Sequence, residues 1–528
     1  MGIYVNPTGR SFELAINSEI FVDKSGLIKE TNKCINTLQR YMCVSRPRRF
    51  GKSMAMDMLS AYYGRKTDAE NLFKGLKISH DESYDRHINK YDVLKINMQD
   101  FLSVTHSVDD MLKMLCEYIT DDFSIECKDI IFRDKSNIVR VMQDVFMSTG
   151  RPFVILIDEW DCLFREFTQD KEAQKKYLDF LRGWLKDKDY IALAYMTGIL
   201  PIKKYGSHSA LNMFTEYSMT DMGALAEYFG FTDDEVKQLC KKYDRDYEAV
   251  KNWYDGYMLS GKHVYNPKAV VSVMMRGSFQ SYWSQTGTYE SLIPLIDMDF
   301  DGLRAAIISM ISGNEIKVRT TTFQNDMVSF KNKDDVLTLL IHLGYLAFNQ
   351  KNQMAYIPNE ELRNELMDAV EENKWDEIMQ FERQSIDLFN ATINKDVNTV
   401  AAKIEQIHME YTSVIQYNDE NSLSSVLAIA YLGTMNYYFK PVRELPTGRG
   451  FADFVYIPKP EYINDYPALV VELKWNKNAD TAMQQIRERQ YPNSLLQYTG
   501  NVLLVAINYD EKTKEHVCKI EEYAKIQN

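Results

Sequence analysis

Four short apolar runs in the first part of the chain place the strongest constraint on its fold. They are Tyr41–Ser45, Val93–Met98, Phe153–Ile157 and Ile191–Met196, and stretches with helical periodicity separate them. Their apolarity is continuous rather than alternating, which is typical of strands buried on both faces of a parallel sheet. The sequence therefore predicts an α/β domain with a parallel sheet over residues 1–225.

A mostly helical pattern follows over residues 226–383. It contains a helix at Asp334–Gly344 and two short strands, Tyr345–Phe348 and Gln353–Ile357, joined by a turn. A helix followed by a hairpin is the element order of a winged helix. A small helical packing domain is an equal alternative for this region.

Residues 384–528 have the pattern of a second α/β unit. Its predicted elements alternate between helix and strand: Ser422–Tyr438, Gly450–Ile457, Ala468–Trp475, Ala479–Gln490 and Asn501–Asn508. Three domains agree with the usual size of about 150 residues per domain in a chain of 528 residues.

Composition excludes several classes of protein. The seven cysteines are scattered without a C-x-x-C pair, which argues against a disulfide framework or a zinc ribbon. No apolar run is long enough to span a membrane, and the first residues do not have the pattern of a secretory signal. We therefore expect a cytoplasmic protein without membrane contact. The net charge of −13 argues against a uniformly basic nucleic-acid coat, but not against a local basic groove.

A candidate phosphate-binding loop follows the first apolar run. The segment Ser45-Arg46-Pro47-Arg48-Arg49-Phe50-Gly51-Lys52-Ser53 lies between a predicted strand and a predicted helix. In a P-loop, backbone N–H groups and the helix N-terminus hold phosphates. Lys52 is then expected to reach the β- and γ-phosphates of ATP, and Ser53 to bind Mg²⁺. The full pattern begins with glycine, and Arg46 occupies that position.

Two carboxylates complete this prediction. The run Val154–Ile157 ends in Asp158-Glu159. In P-loop enzymes the first such acid holds Mg²⁺, and a neighbouring glutamate can activate the attacking water. The alternative is a buried strand followed by a solvated acidic turn, but the loop and the acids together favour a nucleotide site.

Three further residues are candidates for contact with the nucleotide. Thr197 ends the fourth run, where a γ-phosphate sensor or a simple turn would fit equally. Arg48 and Arg49 add positive charge beside Gly51 in the loop. Phosphate, a neighbouring acid and nucleic acid are all open as their partners.

A second set of charged residues lies in the last domain. Asp453 and Glu472 lie on separate predicted strands, and Lys474 shares a face with Glu472 because strand residues two apart point the same way. Two carboxylates can hold Mg²⁺ or Mn²⁺, and a nearby lysine can stabilise charge in phosphodiester cleavage. The alternative is an exposed Glu–Lys pair. Glu420 could add a third carboxylate, or could be an acid near a helix N-terminus.

Taken together, these residues resemble bacterial proteins that join an AAA-ATPase-like domain to a PD-(D/E)xK superfamily nuclease domain. The resemblance covers nearly the whole chain, and its landmarks are Phe21-Val22-Asp23-Lys24, Arg46 to Ser53, Ile157-Asp158-Glu159, Trp253 to Tyr257 with Tyr265-Asn266-Pro267, Gly344-Tyr345-Leu346, and the set Asp453, Glu472 and Lys474.

The resemblance carries its own expectations for fold and site residues. It implies a P-loop ATPase fold followed by a restriction-endonuclease-like α/β domain. Asp453, Glu472 and Lys474 would be the nuclease core, with Glu420 as the helix acid. The first glycine of the loop is usually replaced in this family, so Arg46 counts less against nucleotide binding. Family members often carry a Tyr-His pair after the helix acid, whereas this chain has Leu423-Ser424.

These observations predict an ATPase coupled to a metal-dependent nuclease, with ATP and Mg²⁺ (or Mn²⁺ at the nuclease site) as cofactors. The expected partner is nucleic acid, with DNA favoured over RNA. A homo-oligomer is also expected, because P-loop ATPases of this kind often act as rings. The alternative is a nucleotide-dependent switch or scaffold whose nuclease-like domain only binds nucleic acid or protein.

Overall fold

The computed structural model describes most of the chain and divides it into two compact units. The described residues are 2–202, 211–283, 289–298, 300, 302–324, 327–372, 376–411, 427, 430, 431, 433, 434, 437–439, 441–447, 450–476, 479, 483, 484 and 501–523. We call Met1–Val250, Tyr254–Phe279 and Val318–Ala355 the N-terminal unit, and Lys251–Trp253, Gln280–Lys317 and Tyr356–Asn528 the C-terminal unit. The three predicted domain ranges stay predictions.

A five-stranded sheet organises the N-terminal unit. Its strands lie in the order Asp92–Asn97, Phe153–Asp158, Ile191–Gly198, Tyr41–Ser45 and Thr215–Tyr217, and all neighbours are parallel. Every residue of strands Tyr41–Ser45, Phe153–Asp158 and Ile191–Gly198 is buried. The predicted parallel sheet is therefore confirmed, because only continuously apolar strands fill a sheet covered on both faces.

Helices surround this sheet and connect its strands. They are Arg10–Ile16, Gly26–Cys34, Lys52–Tyr63, Ala69–Phe73, Tyr84–His87, Met98–Leu102, Val108–Glu126, Ile138–Thr149, Cys162–Glu166 and Lys171–Leu185. Helices Asp233–Tyr243, Tyr247–Tyr254 and Pro267–Arg276 follow the sheet in the chain. Next to them is a small antiparallel sheet with the order Phe231–Thr232, Lys262–Tyr265 and Tyr257–Leu259.

The predicted order of helix, strand, turn and strand is present near residue 340. Helix Lys333–Leu343 is capped by Asn332, whose side chain accepts from the amides of Asp334 and Asp335. It ends at Gly344 in the left-handed conformation (φ 89°), and strands Ala347–Asn349 and Met354–Tyr356 follow. The Tyr257 hydroxyl donates to the Gly344 carbonyl, which attaches this helix end to the small sheet.

In its described residues, the C-terminal unit contains five α-helices and a mixed sheet. The helices are Tyr289–Ile296, Leu303–Ile311, Glu360–Glu372, Asp376–Ile393 and Val397–Tyr411, and a two-residue strand lies at Ile316–Lys317. The sheet has the order Val442–Thr447, Gly450–Tyr456, Ala468–Trp475, Val502–Asp510 and Glu515–Tyr523. Among these five described strands, the pair Ala468–Trp475 and Val502–Asp510 is parallel and the other neighbours are antiparallel.

The central strands of this sheet agree with the sequence prediction. The pattern did not reveal the edge strands Val442–Thr447 and Glu515–Tyr523. Most of the predicted helices Ser422–Tyr438 and Ala479–Gln490 lies outside the described residues.

Two separate groups of apolar side chains cover the two faces of strand Ala468–Trp475. Leu469, Val471 and Leu473 belong to a large core shared with helices Asp376–Ile393 and Val397–Tyr411. Ala468 and Val470 belong to a smaller core on the other face. Because side chains alternate along a strand, Glu472 and Lys474 point to the face of the smaller core.

Within the described part of the chain, no helix is both long enough and apolar enough to cross a lipid bilayer.

A buried histidine pair should make the stability of the C-terminal unit depend on pH. His408 Nδ1 lies 3.2 Å from His516 Nε2, and burial lowers the pKa of both rings from 6.5 to about 4. The charge of Lys514 contributes to the shift at His408. The unfolded chain binds more protons than the folded chain between these pKa values. We therefore expect the unfolding temperature to fall as pH decreases from about 6.5 to 4, and to be insensitive to these rings above that range.

Thermal unfolding of the full chain followed by tryptophan fluorescence measures this effect. His408→Leu removes one of the two rings, so the decline should become shallower. His80 is exposed, and His80→Gln should leave the slope unchanged. Equal slopes in wild type and His408→Leu would contradict this role for the pair.

Candidate active sites

The predicted phosphate loop lies between strand Tyr41–Ser45 and helix Lys52–Tyr63. Its last turn needs the left-handed conformation, which Gly51 adopts with φ 88° as the residue before the helix. Arg49 also has a positive φ of 70°. The first amides of this helix have no partner within it, and together with the helix dipole they form a site suited to phosphate.

Lys52 is almost fully buried at the start of the helix. Its ammonium donates to the carbonyl oxygens of Arg46 at 2.9 Å and Pro47 at 3.0 Å, and burial lowers its pKa. The positive charge predicted to reach the phosphates is therefore held on the carbonyl groups of its own loop. Phosphate oxygens would have to replace these acceptors.

Asp158 brings three predicted residues together at the end of its strand. Ser53 Oγ donates to Asp158 Oδ2 at 2.6 Å, and the Thr197 hydroxyl donates to Asp158 Oδ1. The Glu159 amide also donates to Asp158 Oδ1, at 3.0 Å. A hydroxyl and a carboxylate at hydrogen-bonding distance are hard oxygen donors of the kind Mg²⁺ prefers, so the residues present fit this ion.

The Glu159 carboxylate is paired rather than open. It contacts the guanidinium of Arg165, while burial raises its pKa. Arg165 also lies 3.3 Å from Asp161, a fully buried acid that accepts from the amides of Ile199 at 3.0 Å and Leu200 at 2.8 Å. This network connects Glu159 to the chain just after the strand that ends with Thr197 and Gly198.

Arg165 and Asp161 were not among the site residues predicted from the sequence. Their spacing could have indicated them: Asp161 and Arg165 are one helical turn apart and come shortly after the predicted acid pair.

An apolar cavity of about 260 Å³ adjoins the phosphate loop. Phe50 and Gly51 line it from the loop, and the rest of the wall includes Phe21, Val22, Tyr228, Phe231 and Val271. Arg49 also lines this cavity, whereas the exposed Arg48 does not. An aromatic and aliphatic cavity beside a phosphate loop is suited to the flat base of a nucleotide.

A second, polar cavity of about 410 Å³ opens onto Ser53 and Asp158. It is also lined by Asp57, Lys95 and Asp100. Asp57 is paired with Lys95, and burial raises the pKa of Asp57. The residues predicted to hold Mg²⁺ therefore border a polar space next to the phosphate loop.

In the C-terminal unit, Glu472 and Lys474 form the second predicted site. The Lys474 ammonium donates to Glu472 Oε1 at 3.0 Å, and both side chains are buried. In the parallel neighbour, Ala506 is opposite Glu472 and Asn508 is opposite Lys474. A buried acid paired with a lysine, beside a residue as small as alanine, contradicts the alternative of an exposed Glu–Lys pair.

The position of Asp453 follows from the strand register. Phe454 pairs with Val471 and Val455 with Val470. Asp453 precedes Phe454 on its strand, and Glu472 follows Val471 on the neighbouring strand. The side chain of Asp453 and all of Glu420 lie outside the described residues. Among the side chains that are described, no three His, Cys, Asp or Glu form a cluster that could hold a metal ion.

Comparison with known families identifies both regions. Residues 10–207 match the family model of a predicted AAA-ATPase. Residues 418–519 match the model of the PD-(D/E)XK nuclease superfamily.

Similarity to individual proteins is more limited. An uncharacterized protein encoded in the vnfD 5′ region of Azotobacter chroococcum mcd 1 is 26% identical over 287 residues, which is 52% of this chain and 52% of the relative. This chain thus spans about half the length of that relative. Among solved structures, the Aeropyrum pernix ORC2 protein in ADPNP–ADP complexes matches with a TM-score of 0.30 and 9% identity, over 67% of this chain and 97% of that protein. The Aeropyrum pernix ORC1 protein in complex with DNA matches with a TM-score of 0.24 and 9% identity, over 86% and 94%.

The two family matches agree with the two sites in position, since the first contains Lys52, Ser53 and Asp158 and the second contains Glu472 and Lys474. The chain therefore combines a domain of the predicted AAA-ATPase family at residues 10–207 with a domain of the PD-(D/E)XK nuclease superfamily at residues 418–519.

Proposed function

We propose that the protein binds and hydrolyses ATP in its N-terminal unit, and that the nucleotide controls a metal-dependent nuclease in its C-terminal unit that cleaves DNA. The observation that carries the proposal is the convergence of Ser53 and Thr197 on Asp158, next to a buried lysine and a phosphate loop. The buried Glu472–Lys474 pair supports the second activity.

In the ATPase site, each predicted residue has a separate task. Lys52 would leave the loop carbonyls to bind the β- and γ-phosphates, while Ser53 and Asp158 would hold Mg²⁺. Thr197 would position Asp158 and sense the γ-phosphate. Glu159 would accept a proton from the attacking water once its carboxylate separates from Arg165. Bound Mg²⁺ would neutralise negative charge on the phosphates.

Two contacts beyond the phosphates complete the nucleotide site. The base would enter the apolar cavity next to Gly51, with Arg49 at its wall. Arg48 would add positive charge outside the cavity.

In the nuclease site, Asp453 and Glu472 would hold Mg²⁺ or Mn²⁺, with Glu420 as a third ligand. Bound metal would polarise the phosphodiester and lower the pKa of a water molecule. The ammonium of Lys474 would stabilise the negative charge that develops during cleavage.

DNA is the favoured substrate, and helix Lys333–Leu343 with its following hairpin is the element that we propose to contact it. The same element would otherwise be a packing domain. Self-association into a ring and a cytoplasmic location are further parts of the proposal. Light scattering with and without ATP tests the self-association.

The coupling is tested by Lys52→Ala. Without this ammonium, ATP hydrolysis should fall by at least about a hundredfold, because the charge on the phosphates loses its nearest cation. Cleavage by the variant should then no longer respond to ATP. Phosphate release and cleavage of single- and double-stranded DNA, with Mg²⁺ or Mn²⁺ and with or without ATP, measure both effects. Lys74 is exposed, and Lys74→Ala is the matched control.

These measurements distinguish the proposed function from the switch or scaffold alternative. If ATP affects cleavage equally in wild type and Lys52→Ala, the coupling is wrong. If wild type binds ATP but cleaves none of the substrates with either metal, the nuclease-like domain is a binding module, and the switch or scaffold alternative replaces the proposal.

A further inference from the structure

Arg46 occupies the position where the P-loop pattern has glycine, and its side chain is fully buried. Its guanidinium donates to the carbonyl oxygens of Phe229 at 3.1 Å and Ala226 at 3.4 Å, and to the sulfur of Met219 at 2.9 Å. The ring of Phe50 lies 5.6 Å from the guanidinium carbon. The phosphate loop is therefore attached directly to the segment near residue 226.

Burial of this charge needs a structural reason. Within the described part of the chain, the contacts of Arg46 are carbonyls, a sulfur and a ring, and burial lowers its pKa to about 9. An ionised group removed from water destabilises the fold unless hydrogen bonds replace its solvation. An arginine with several fixed donors can satisfy two carbonyls of one segment at the same time, which glycine or a small residue cannot do.

Lys24 attaches to the same segment from another part of the chain. Its ammonium donates to the Glu227 carbonyl at 2.7 Å and to the Glu235 carboxylate at 2.5 Å. Glu235 also accepts from the Thr232 amide at 2.8 Å, and so caps helix Asp233–Tyr243. Two cations distant in sequence thus hold residues 226–229.

The segment they hold forms one wall of the apolar cavity. Residues 226–231, which we call the wall segment, contribute Tyr228, Gly230 and Phe231 to the cavity lining. Gly230 has φ 98°, and a Cβ there would come within 2.3 Å of Val264 and 2.9 Å of the Tyr265 carbonyl. The wall segment is thus packed tightly on its outer side, and the two cations attach it to the phosphate loop and the N-terminal residues.

We infer that Arg46 and Lys24 are positioning residues that hold the wall segment against the nucleotide base and thereby set the preference for ATP over a bare triphosphate. This inference rests on the proposed ATP site. Arg46 does not line the cavity and acts through Tyr228, Gly230 and Phe231, whereas Lys24 lines the cavity and also holds the wall segment through the Glu227 carbonyl. It also follows that restoring the consensus glycine at position 46 should weaken ATP binding rather than improve it.

Binding of Mg·ATP and of Mg·tripolyphosphate to the full chain, measured by calorimetry, tests the inference. Arg46→Gly and Lys24→Met should each weaken ATP binding by roughly tenfold or more, the effect expected for losing hydrogen bonds to a charged group. Tripolyphosphate has no base, so its affinity should change much less, and the ratio of the two affinities should fall. Arg65 pairs with Asp92 and Glu126, and Arg65→Met controls for a general loss of stability.

The outcomes separate the inference from the proposed function. A wild type that binds neither compound would refute the ATP site and the inference with it. A wild type that prefers ATP, with the same preference in Lys24→Met and Arg46→Gly, would refute the inference alone. If Arg46→Gly does not fold, Arg46→Lys takes its place, because a lysine keeps the cation without the paired donors that hold both carbonyls.

Discussion

Replacing Lys474 by alanine should reduce metal-dependent DNA cleavage by about 10²- to 10³-fold, the range seen when one group that stabilises transition-state charge is removed. Lys474 is buried and its ammonium lies 3.0 Å from Glu472, so water could not easily take its place. ATP hydrolysis should remain, because Lys474 belongs to the C-terminal unit and the ATPase residues to the N-terminal unit. Cleavage of labelled DNA with Mg²⁺ or Mn²⁺ measures the loss.

A loss of activity must be distinguished from a loss of structure. Lys474→Ala leaves Glu472 buried without its cation, which is itself destabilising. Glu472→Gln is the matched variant, because the amide oxygen can still accept from Lys474 while the negative charge needed for the metal is gone. Both variants should be inactive, and Glu472→Gln, which keeps an acceptor for Lys474, should lower the unfolding temperature less than Lys474→Ala. Cleavage by either variant at the wild-type rate would remove this site from the mechanism.

Glu159→Gln should separate ATP binding from ATP hydrolysis. The amide cannot accept a proton, so hydrolysis should fall by about 10²- to 10⁴-fold, the usual contribution of a general base. Binding should persist, because Lys52, Ser53 and Asp158 are unchanged. Calorimetry with Mg·ATP and a phosphate-release assay measure the two quantities. Equal hydrolysis by the variant and wild type would assign the base to another group.

The pH profile of hydrolysis gives an independent check on Glu159. Burial raises its pKa above 4.5, while the charge of Arg165 opposes that shift. Since a general base acts in its ionised form, the rate should fall with decreasing pH at a value above 4.5. Arg165→Met removes the opposing charge, so the fall should move to higher pH. An unchanged profile in this variant would mean that Glu159 does not limit the reaction at low pH.

The strands that could be predicted from the sequence are those with a continuous run of mostly apolar residues. The strands Tyr41–Ser45 and Ala468–Trp475 have the predicted bounds because both are mostly apolar and almost completely buried. The edge strand Glu515–Tyr523 was missed because an edge strand has one side in water, and its exposed and buried positions mix charged with apolar residues.

The candidate sites were predictable where they lie at strand ends and not where distant segments meet. Asp158 and Thr197 lie at the ends of neighbouring parallel strands, and Ser53 lies in the first turn of the helix after the next strand, so their meeting follows from the strand pattern. The apolar cavity combines residues near positions 21, 50, 230 and 270, and no local pattern relates them. The role of Arg46 was hidden for the same reason, since its acceptors lie near residue 226.

The strand order has a consequence for how proteins of this architecture can diverge. The strands that carry Asp158 and Thr197 and the strand before the phosphate loop are three adjacent members of one sheet. The chain between Tyr63 and Phe153 contains helices, loops and one outer strand, which contribute no atom to the Ser53–Asp158–Thr197 contacts. Insertions or deletions in this stretch can therefore accumulate without moving those three residues apart. The number of residues between the phosphate loop and Asp158 is then a poor criterion for deciding whether two proteins are related. The positions of the loop and the acid at the ends of neighbouring strands are a better criterion.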